Sequence, residues 1–470
     1  MTRRHLSNVL EEKLGSQKVL SSDAELLCYS YDATPLISHR PDAVVRVESE
    51  DDIALTLEIA AQEGVAVTTR GSGTGLSGGS LPIAGGIVLL TTAMNRILEI
   101  DADDMSVTVE PGVITSDLHA AVEAVGLFYP PDPGSMKIST IGGNVAENAG
   151  GLRGLKYGVT GDYVQSLDTY LIDGSRLRCG TKCIKDVAGY NLTKFLVGTE
   201  GTLGIFSRVA LKLVPKPQTK KTFLALYDNV LDAARTVSAI IGRKVIPSTL
   251  ELMDRVTVNC VEDYSHIGLP RDVEALLLIE TDGHPEVVNE EAAKIEQACT
   301  ANNVRTLRVA HDAAESDVLF TARRMALSAL ARVKPTTILE DVTVPRPAIP
   351  EMMATIGEVA ASYRLTIGTF GHAGDGNLHP TCLTDERDEE EIHRVEEAYA
   401  IVFRKAISLG GTISGEHGIG ISKAKYLPAM VGPKAIALMK KIKEAFDPQG
   451  RLNPGKIFLE NTEEAYVERA

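Results

Sequence analysis

The sequence predicts an α+β protein built from two unlike units, and three observations lead there. From about residue 40 to residue 217 short apolar strands alternate with helical stretches. The run Val214-Pro215-Lys216-Pro217 then breaks the pattern and marks a boundary. From Thr222 onward strands and helices follow in an order that suits an antiparallel sheet with helices on one face.

In the first part, helices are expected at 53–61 and 117–125. Residues 65–69 read as a strand, and Gly73-Thr74-Gly75-Leu76-Ser77-Gly78 then matches the dinucleotide pattern G-x-G-x-x-G. That pattern needs a helix directly after it, so that a pyrophosphate meets the helix N-terminus. Here Pro82, Gly85 and Gly86 intervene and Ile87-Val88-Leu89-Leu90 reads as another strand, which argues against a nicotinamide-type domain. The loop itself, 70–82, holds five glycines, four hydroxyl side chains and no acid, and suits backbone N–H groups turned toward a phosphate. Two further small-residue segments run from Pro131 to Gly151 and from Gly198 to Gly204. Three such loops within about 135 residues point to one extended, phosphate-bearing cofactor crossing them.

In the second part the expected order is strand 222–227, helix 229–241, strands 248–253 and 275–280, helix 286–302 and strand 306–310. A helix at about 312–333, a strand and another helix follow. The acids at 385–391 favour a helix N-terminus and solvate one face. Near the end, Ile436, Met439, Ile442 and Phe446 make an apolar stripe stopped by Asp447-Pro448.

Composition excludes several classes. A chain of 470 residues, 44% hydrophobic and lacking Trp, can bury large cores in two or three domains. A net charge of −15 argues against nucleic acid or an anionic membrane held by bulk electrostatics. No run of about 18 apolar residues can span a bilayer. Residues 1–15 fit neither a secretory signal nor an acid-poor transit peptide. The six cysteines form no CxxC pair or cluster, so no iron–sulfur centre or thiolate zinc site is encoded, and a cytoplasmic protein with reduced thiols is expected.

The most informative stretch is Gly371-His372-Ala373-Gly374-Asp375-Gly376-Asn377-Leu378-His379, joined by Gly415-Glu416-His417-Gly418. Two imidazoles and a carboxylate suit a divalent ion with a position left open for substrate, and imidazole and carboxylate ligands fit zinc, iron or manganese. His372, His379 and Glu416 are therefore the expected ligands, and His417 is left to move a proton. The plainer reading makes Asp375-Gly376 a hairpin turn flanked by polar strand residues. It explains the glycines but not the pairing of His372 with His379, nor the recurrence of Glu416 and His417. The other seven histidines carry no such pattern.

With these residues in view, the run at 70–82, Ile141-Gly-Gly-Asn-Val-Ala-Glu-Asn-Ala-Gly-Gly151 and Val197-Gly-Thr-Glu-Gly-Thr-Leu-Gly-Ile205 resemble the FAD domain of the vanillyl-alcohol oxidase superfamily. Adding 371–379, 414–420 and Asp447-Pro-Gln-Gly-Arg-Leu-Asn-Pro-Gly-Lys456, nearly the whole chain resembles the glycolate oxidase flavoprotein subunit and its D-lactate and D-2-hydroxyglutarate dehydrogenase relatives. The resemblance implies a PCMH-type FAD-binding domain of two α+β subdomains over 1–217, with an N-terminal helix. A substrate cap with an antiparallel sheet covered by helices and the histidine pair is implied over 218–412. A C-terminal segment, 413–470, is implied to return to the flavin domain. FAD is expected along Arg70, Gly71, Ser72, Gly73, Thr74, Gly75, Ser80, Pro131, Asp132, Ser135, Thr140, Gly143, Asn144, Gly150, Gly151, Ile205 and Asn453, with Asn453 near the ring.

The implied chemistry is oxidation of a small D-2-hydroxy acid. A metal on His372, His379 and Glu416 would make the hydroxyl more acidic, His417 would take its proton, and hydride would pass to flavin N5. Relatives place a carboxylate-binding arginine at Ala322-Arg323-Arg324, where Arg323 aligns best and Arg332 is the fallback. No His lies in 71–80 for covalent attachment, so FAD is expected to be non-covalent. Thr381 stands where some D-2-hydroxyglutarate dehydrogenases carry Asn, which leaves glycolate or D-lactate ahead of the longer dicarboxylate. The chain has no second redox centre, so electrons are expected to leave to an iron–sulfur subunit or an electron-transferring flavoprotein. Two other classes compete. A flavin-free metallohydrolase would leave three Gly-rich loops without a role, and a scaffold subunit that merely holds FAD would be expected to lack the metal residues.

Overall fold

A computed structural model describes residues 3–458; residues 1–2, and 459–470 of the expected C-terminal segment, lie outside the described residues. The chain divides into two compact units. One comprises the chain through Ala149, Val159–Lys216 and Glu416 onward; the other comprises Gly150–Gly158 and Pro217–Gly415.

The first unit holds two main sheets. Strands Val19–Leu20, Ala43–Arg46, Ile87–Leu90 and Val67–Arg70 lie side by side in that order, the last three parallel. Parallel neighbours need a crossover, and helix Glu50–Glu63 supplies one: Ser49 Oγ accepts from Asp52 N at 3.2 Å, and Gly64 ends the helix at φ 69°. Its Ile53 and Leu57 and the strands' Val45, Ile87 and Leu89 bury together with Leu6 and Leu10 of helix Arg3–Leu14. The second sheet is antiparallel, ordered Ile97–Asp101, Ser106–Val109, Ile205–Lys212, Val164–Tyr170, Arg176–Gly180. Helices Thr115–Glu123 and Ile141–Glu147 close its core through Leu118, Val122, Ile141 and Val145, and Ile442 and Phe446 of helix Pro433–Phe446 pack on the same cluster.

The second unit is one large antiparallel sheet, ordered Thr306–Val309, Thr219–Tyr227, Ala275–Gly283, Thr249–Asp254, Thr366–His372, Asn377–Thr384, Thr336–Leu339, with Val342–Thr343 also paired to the sixth. Helices were expected on one face, yet Leu276, Leu277, Leu278 and Ile279 are successive and all buried. Because neighbouring side chains point to opposite faces, that strand is covered on both. Helices Val230–Gly242, Pro285–Ala301, Ile349–Tyr363 and Glu389–Ser408 touch in one chain of contacts, and Arg255–Ser265, Ala313–Arg324 and Ala326–Leu330 in another; each group packs against the sheet. Sequence reading missed Arg255–Ser265, because Val256, Val258 and Val261 are β-branched and favour strands. Its start is fixed by Asp254, whose carboxylate accepts from Thr257 N at 2.9 Å. The single helix expected at 312–333 is two helices, interrupted at Met325.

Candidate functional site

In the second unit, Thr366–His372 and Asn377–Thr384 form a hairpin whose register sets Phe370 opposite His379 and His372 opposite Asn377. The turn is tight for a stated reason: Gly376 sits at φ 92°, and a Cβ there would lie 2.0 Å from Val344 O. A Cβ on Gly371 would lie 2.4 Å from Asn377 O, so the strands approach too closely for a side chain. The stretch is a hairpin, and it sets the two histidines beside one another. The His372 and His379 rings stand edge to face, 5.1 Å apart at 86°, and both side chains are buried.

The adjoining strand Thr249–Asp254 supplies what sequence reading did not anticipate. Glu251, fully buried, places Oε1 2.7 Å from His372 Nδ1 and its other oxygen against Arg323 Nη2. Arg323, on the last turn of Ala313–Arg324, lays its guanidinium 4.7 Å over the Phe370 ring, and its buried Nε has no hydrogen-bond partner. Arg332 lies elsewhere, over the Tyr264 ring at 5.1 Å, facing a hollow of about 630 Å³ that Ala322 and Met325 also line. The signal for Glu251 was a lone carboxylate in Thr-Leu-Glu-Leu-Met, where every neighbour is apolar or small.

Asp341 anchors the segment that precedes Glu416: it accepts from Gly415 N at 2.6 Å and Ser414 Oγ at 3.1 Å. Gly415 is pressed against Thr343 and Asn377, where a Cβ would lie 2.3 Å from Thr343 Oγ1. Glu416 is the next residue along the chain. Two buried imidazoles beside one another are a donor pair that fits a divalent ion. His417 Nε2 lies 3.8 Å from Glu416 Oε1.

The first unit gathers the Gly-rich loops. Arg70 ends a strand with its guanidinium buried, 5.7 Å from the Tyr29 ring, and Nη1 without a hydrogen-bond partner. Gly71 approaches Thr140 so closely that a Cβ would lie 2.4 Å from Oγ1. Thr140 in turn accepts from Gly143 N at 3.2 Å, and Asn144 Nδ2 donates to Thr115 Oγ1 at 2.8 Å. Thr34 Oγ1 donates to Gly75 O, and Ser80 Oγ to Asp32. Ser72 is exposed, and Gly73 (φ 72°) and Thr74 are half-buried. Asn453 donates from Nδ2 to Gly79 O and Glu200 O, both at 2.7 Å, and Lys456 Nζ donates to Leu81 O at 2.6 Å. Burial pushes the Glu200 carboxyl up, against the N–H groups of Ile419 and Gly420 that it accepts at 2.8 Å. So the first and third loops and the C-terminal return are stitched together. A buried guanidinium with one nitrogen lacking a hydrogen bond, beside glycines that leave no room for side chains, fits a large anionic cofactor. Pro131 O meets His119 Nε2 at 2.9 Å, Asp132 is buried, Ser135 O accepts from Ser139 N, and Ile205 is core. Gly150 and Gly151 open the short piece assigned to the second unit.

Comparison with known proteins matches two family models. Residues 41–180 match the family model "FAD binding domain", and residues 216–457 match "FAD linked oxidases, C-terminal domain". The chain is 53% identical over 467 residues to the glycolate oxidase subunit GlcD of Bacillus subtilis (strain 168), covering 99% of each. It is 36% identical to the protein of the same name from Escherichia coli (strain K12), over 95% of this chain and 89% of that one. It is 37% identical to the D-lactate dehydrogenase of Archaeoglobus fulgidus, over 91% and 95%. Among solved structures, p-cresol methylhydroxylase with substrate bound superposes at TM-score 0.81 and 16% identity, over 97% of this chain and 96% of that one, a likeness of fold alone.

Proposed function

The chain belongs to the glycolate oxidase subunit and D-lactate dehydrogenase family of FAD-linked oxidases, and from that premise we propose that it oxidises glycolate or D-lactate to the 2-oxo acid with the help of a divalent ion. FAD-linked oxidation of a 2-hydroxy acid is the family's reaction. The single observation that carries the finer reading is the buried pair of His372 and His379, with Arg323 one carboxylate away through Glu251; Glu416, next after the anchored Gly415, is the third ligand in this reading.

FAD, when bound, supplies the hydride acceptor. The ion, when bound, supplies positive charge that makes a nearby hydroxyl more acidic, and zinc, iron or manganese would suit these ligands. In this reading Arg70, Gly71, Ser72, Gly73, Thr74, Gly75 and Ser80 hold FAD with the Thr140–Asn144 segment and Asn453, without covalent attachment. Arg323 is the carboxylate partner. Its unpartnered buried Nε is the support, since a buried donor costs about 1–3 kcal/mol until a ligand satisfies it. His417, adjacent to Glu416, takes the hydroxyl proton. Electrons leave to a partner protein, an iron–sulfur subunit or an electron-transferring flavoprotein, in the cytoplasm. Two relatives named as subunits of an oxidase favour such a partner.

An anaerobic titration with glycolate, D-lactate, L-lactate and D-2-hydroxyglutarate, following the visible absorbance of oxidised flavin, tests this. Bleaching by glycolate or D-lactate and not by L-lactate is expected. Fastest bleaching by D-2-hydroxyglutarate would move the substrate to the longer acid. A colourless protein with hydrolytic activity would overturn the reading.

A further inference from the structure

We infer that Glu251 is a positioning residue that fixes the tautomer of His372 and holds Arg323, so that one buried carboxylate orients both the ion's ligand and the substrate's partner. The inference deepens, and rests on, the metal reading above. Glu251 sits mid-strand between Leu250 and Leu252, both buried, in a place where packing alone would favour an apolar side chain. Burying an ionised carboxylate costs several kcal/mol unless it is paired, and replacing such a pair by apolar residues is often neutral or stabilising. A purely structural role therefore explains Glu251 poorly.

Its two oxygens have separate partners, His372 Nδ1 at 2.7 Å and Arg323 Nη2. An ionised carboxylate only accepts, so Nδ1 carries the hydrogen and Nε2 is the nitrogen that bears the lone pair. The second oxygen takes one edge of the Arg323 guanidinium, while Phe370 supports its face at 4.7 Å. Phe370 is itself paired across the hairpin with His379, the rings 5.3 Å apart. Glu251 thus closes a circuit through His372, His379, Phe370 and Arg323, all within the second unit.

The test uses the full-length flavoprotein, stripped with a chelator, and measures zinc and manganese dissociation constants by competition with a chromophoric chelator. Wild type, Glu251→Gln, Glu251→Asp, Glu251→Ala and His379→Ala are compared, with circular dichroism and bound flavin as folding controls. Loss of a carboxylate behind a ligating histidine weakens metal binding by roughly 10–100-fold. That weakening is expected in Glu251→Gln and Glu251→Ala, with partial recovery in Glu251→Asp and a larger loss in His379→Ala. If Glu251→Ala fails to fold, Glu251→Gln decides alone. Wild-type affinity in a folded Glu251→Gln, while His379→Ala binds poorly, overturns the role of Glu251 and leaves the metal site standing. No binding by wild type overturns the metal site and this inference with it.

Discussion

His417 and Arg323 make the sharpest claims at the level of single side chains. Replacing His417 by Asn keeps a polar group but removes the base, and turnover should fall by roughly 10²–10⁴-fold with metal content unchanged. Unaltered turnover would remove His417 from the reaction. Arg323→Lys keeps the charge and loses the planar fork, and the KM for the hydroxy acid should rise by roughly 10–100-fold, as expected for a charge-assisted contact of about 1.5–3 kcal/mol. An unchanged KM would assign the carboxylate elsewhere, with Arg332 next to try. The residues that could be read from the sequence were those with local signatures. His372 and His379 stand beside glycines within one short segment, and the hairpin brings their rings side by side. Glu251 shows in the sequence only as a carboxylate among apolar neighbours, and its role was not readable because its partner His372 is 121 residues away and sheet register brings them together.

Elements were legible where caps or turns announce them and illegible where propensity misleads. Helix Glu50–Glu63 has Ser49 before it and Gly64 after it, and the hairpin has Asp375-Gly376 at its turn. Helix Arg255–Ser265 hid behind three valines, although Asp254 capped it. That cap also predicts a pH dependence. Burial raises the Asp254 carboxyl to about 6, against the pull of its backbone hydrogen bonds. A carboxyl whose folded pKa is raised holds its proton longer in the native state, so its contribution to stability is present below about pH 4 and lost as pH rises through about 6. The stability difference between wild type and Asp254→Asn, from urea unfolding, should therefore decline by at most about 3 kcal/mol over that window. A flat difference would mean the carboxyl ionises normally. At the hairpin, Gly376→Ala should destabilise by more than about 2 kcal/mol and lose metal, since the new Cβ meets Val344 O and the backbone is left-handed. A variant that melts and binds metal like wild type would show that the turn relaxes freely.

At the scale of the whole molecule, the sequence carries a Pro-rich break near 217, and the two compact units part at Lys216 and Pro217. The assignment of Gly150–Gly158 to the second unit was not readable, because it depends on distant contacts such as Lys156 Nζ and Tyr157 OH with Asp282. Among the described residues no helix is long and apolar enough to cross a membrane, and all six cysteines are free. With no histidine at 71–80, denaturation should release the flavin into the supernatant; a yellow precipitate would reveal a covalent link. On the proposal that electrons pass to a protein partner, an artificial dye should reoxidise the reduced enzyme faster than dioxygen does. Metal dependence of the reductive half-reaction bears most directly on the proposal that this flavoprotein needs an ion on His372, His379 and Glu416. Flavin bleaching by glycolate or D-lactate, followed anaerobically in stopped flow, should be lost when the protein is stripped and restored by zinc, iron or manganese, but not in His379→Ala. Equal bleaching rates before and after stripping would contradict it and leave a flavin enzyme whose histidine pair serves another end.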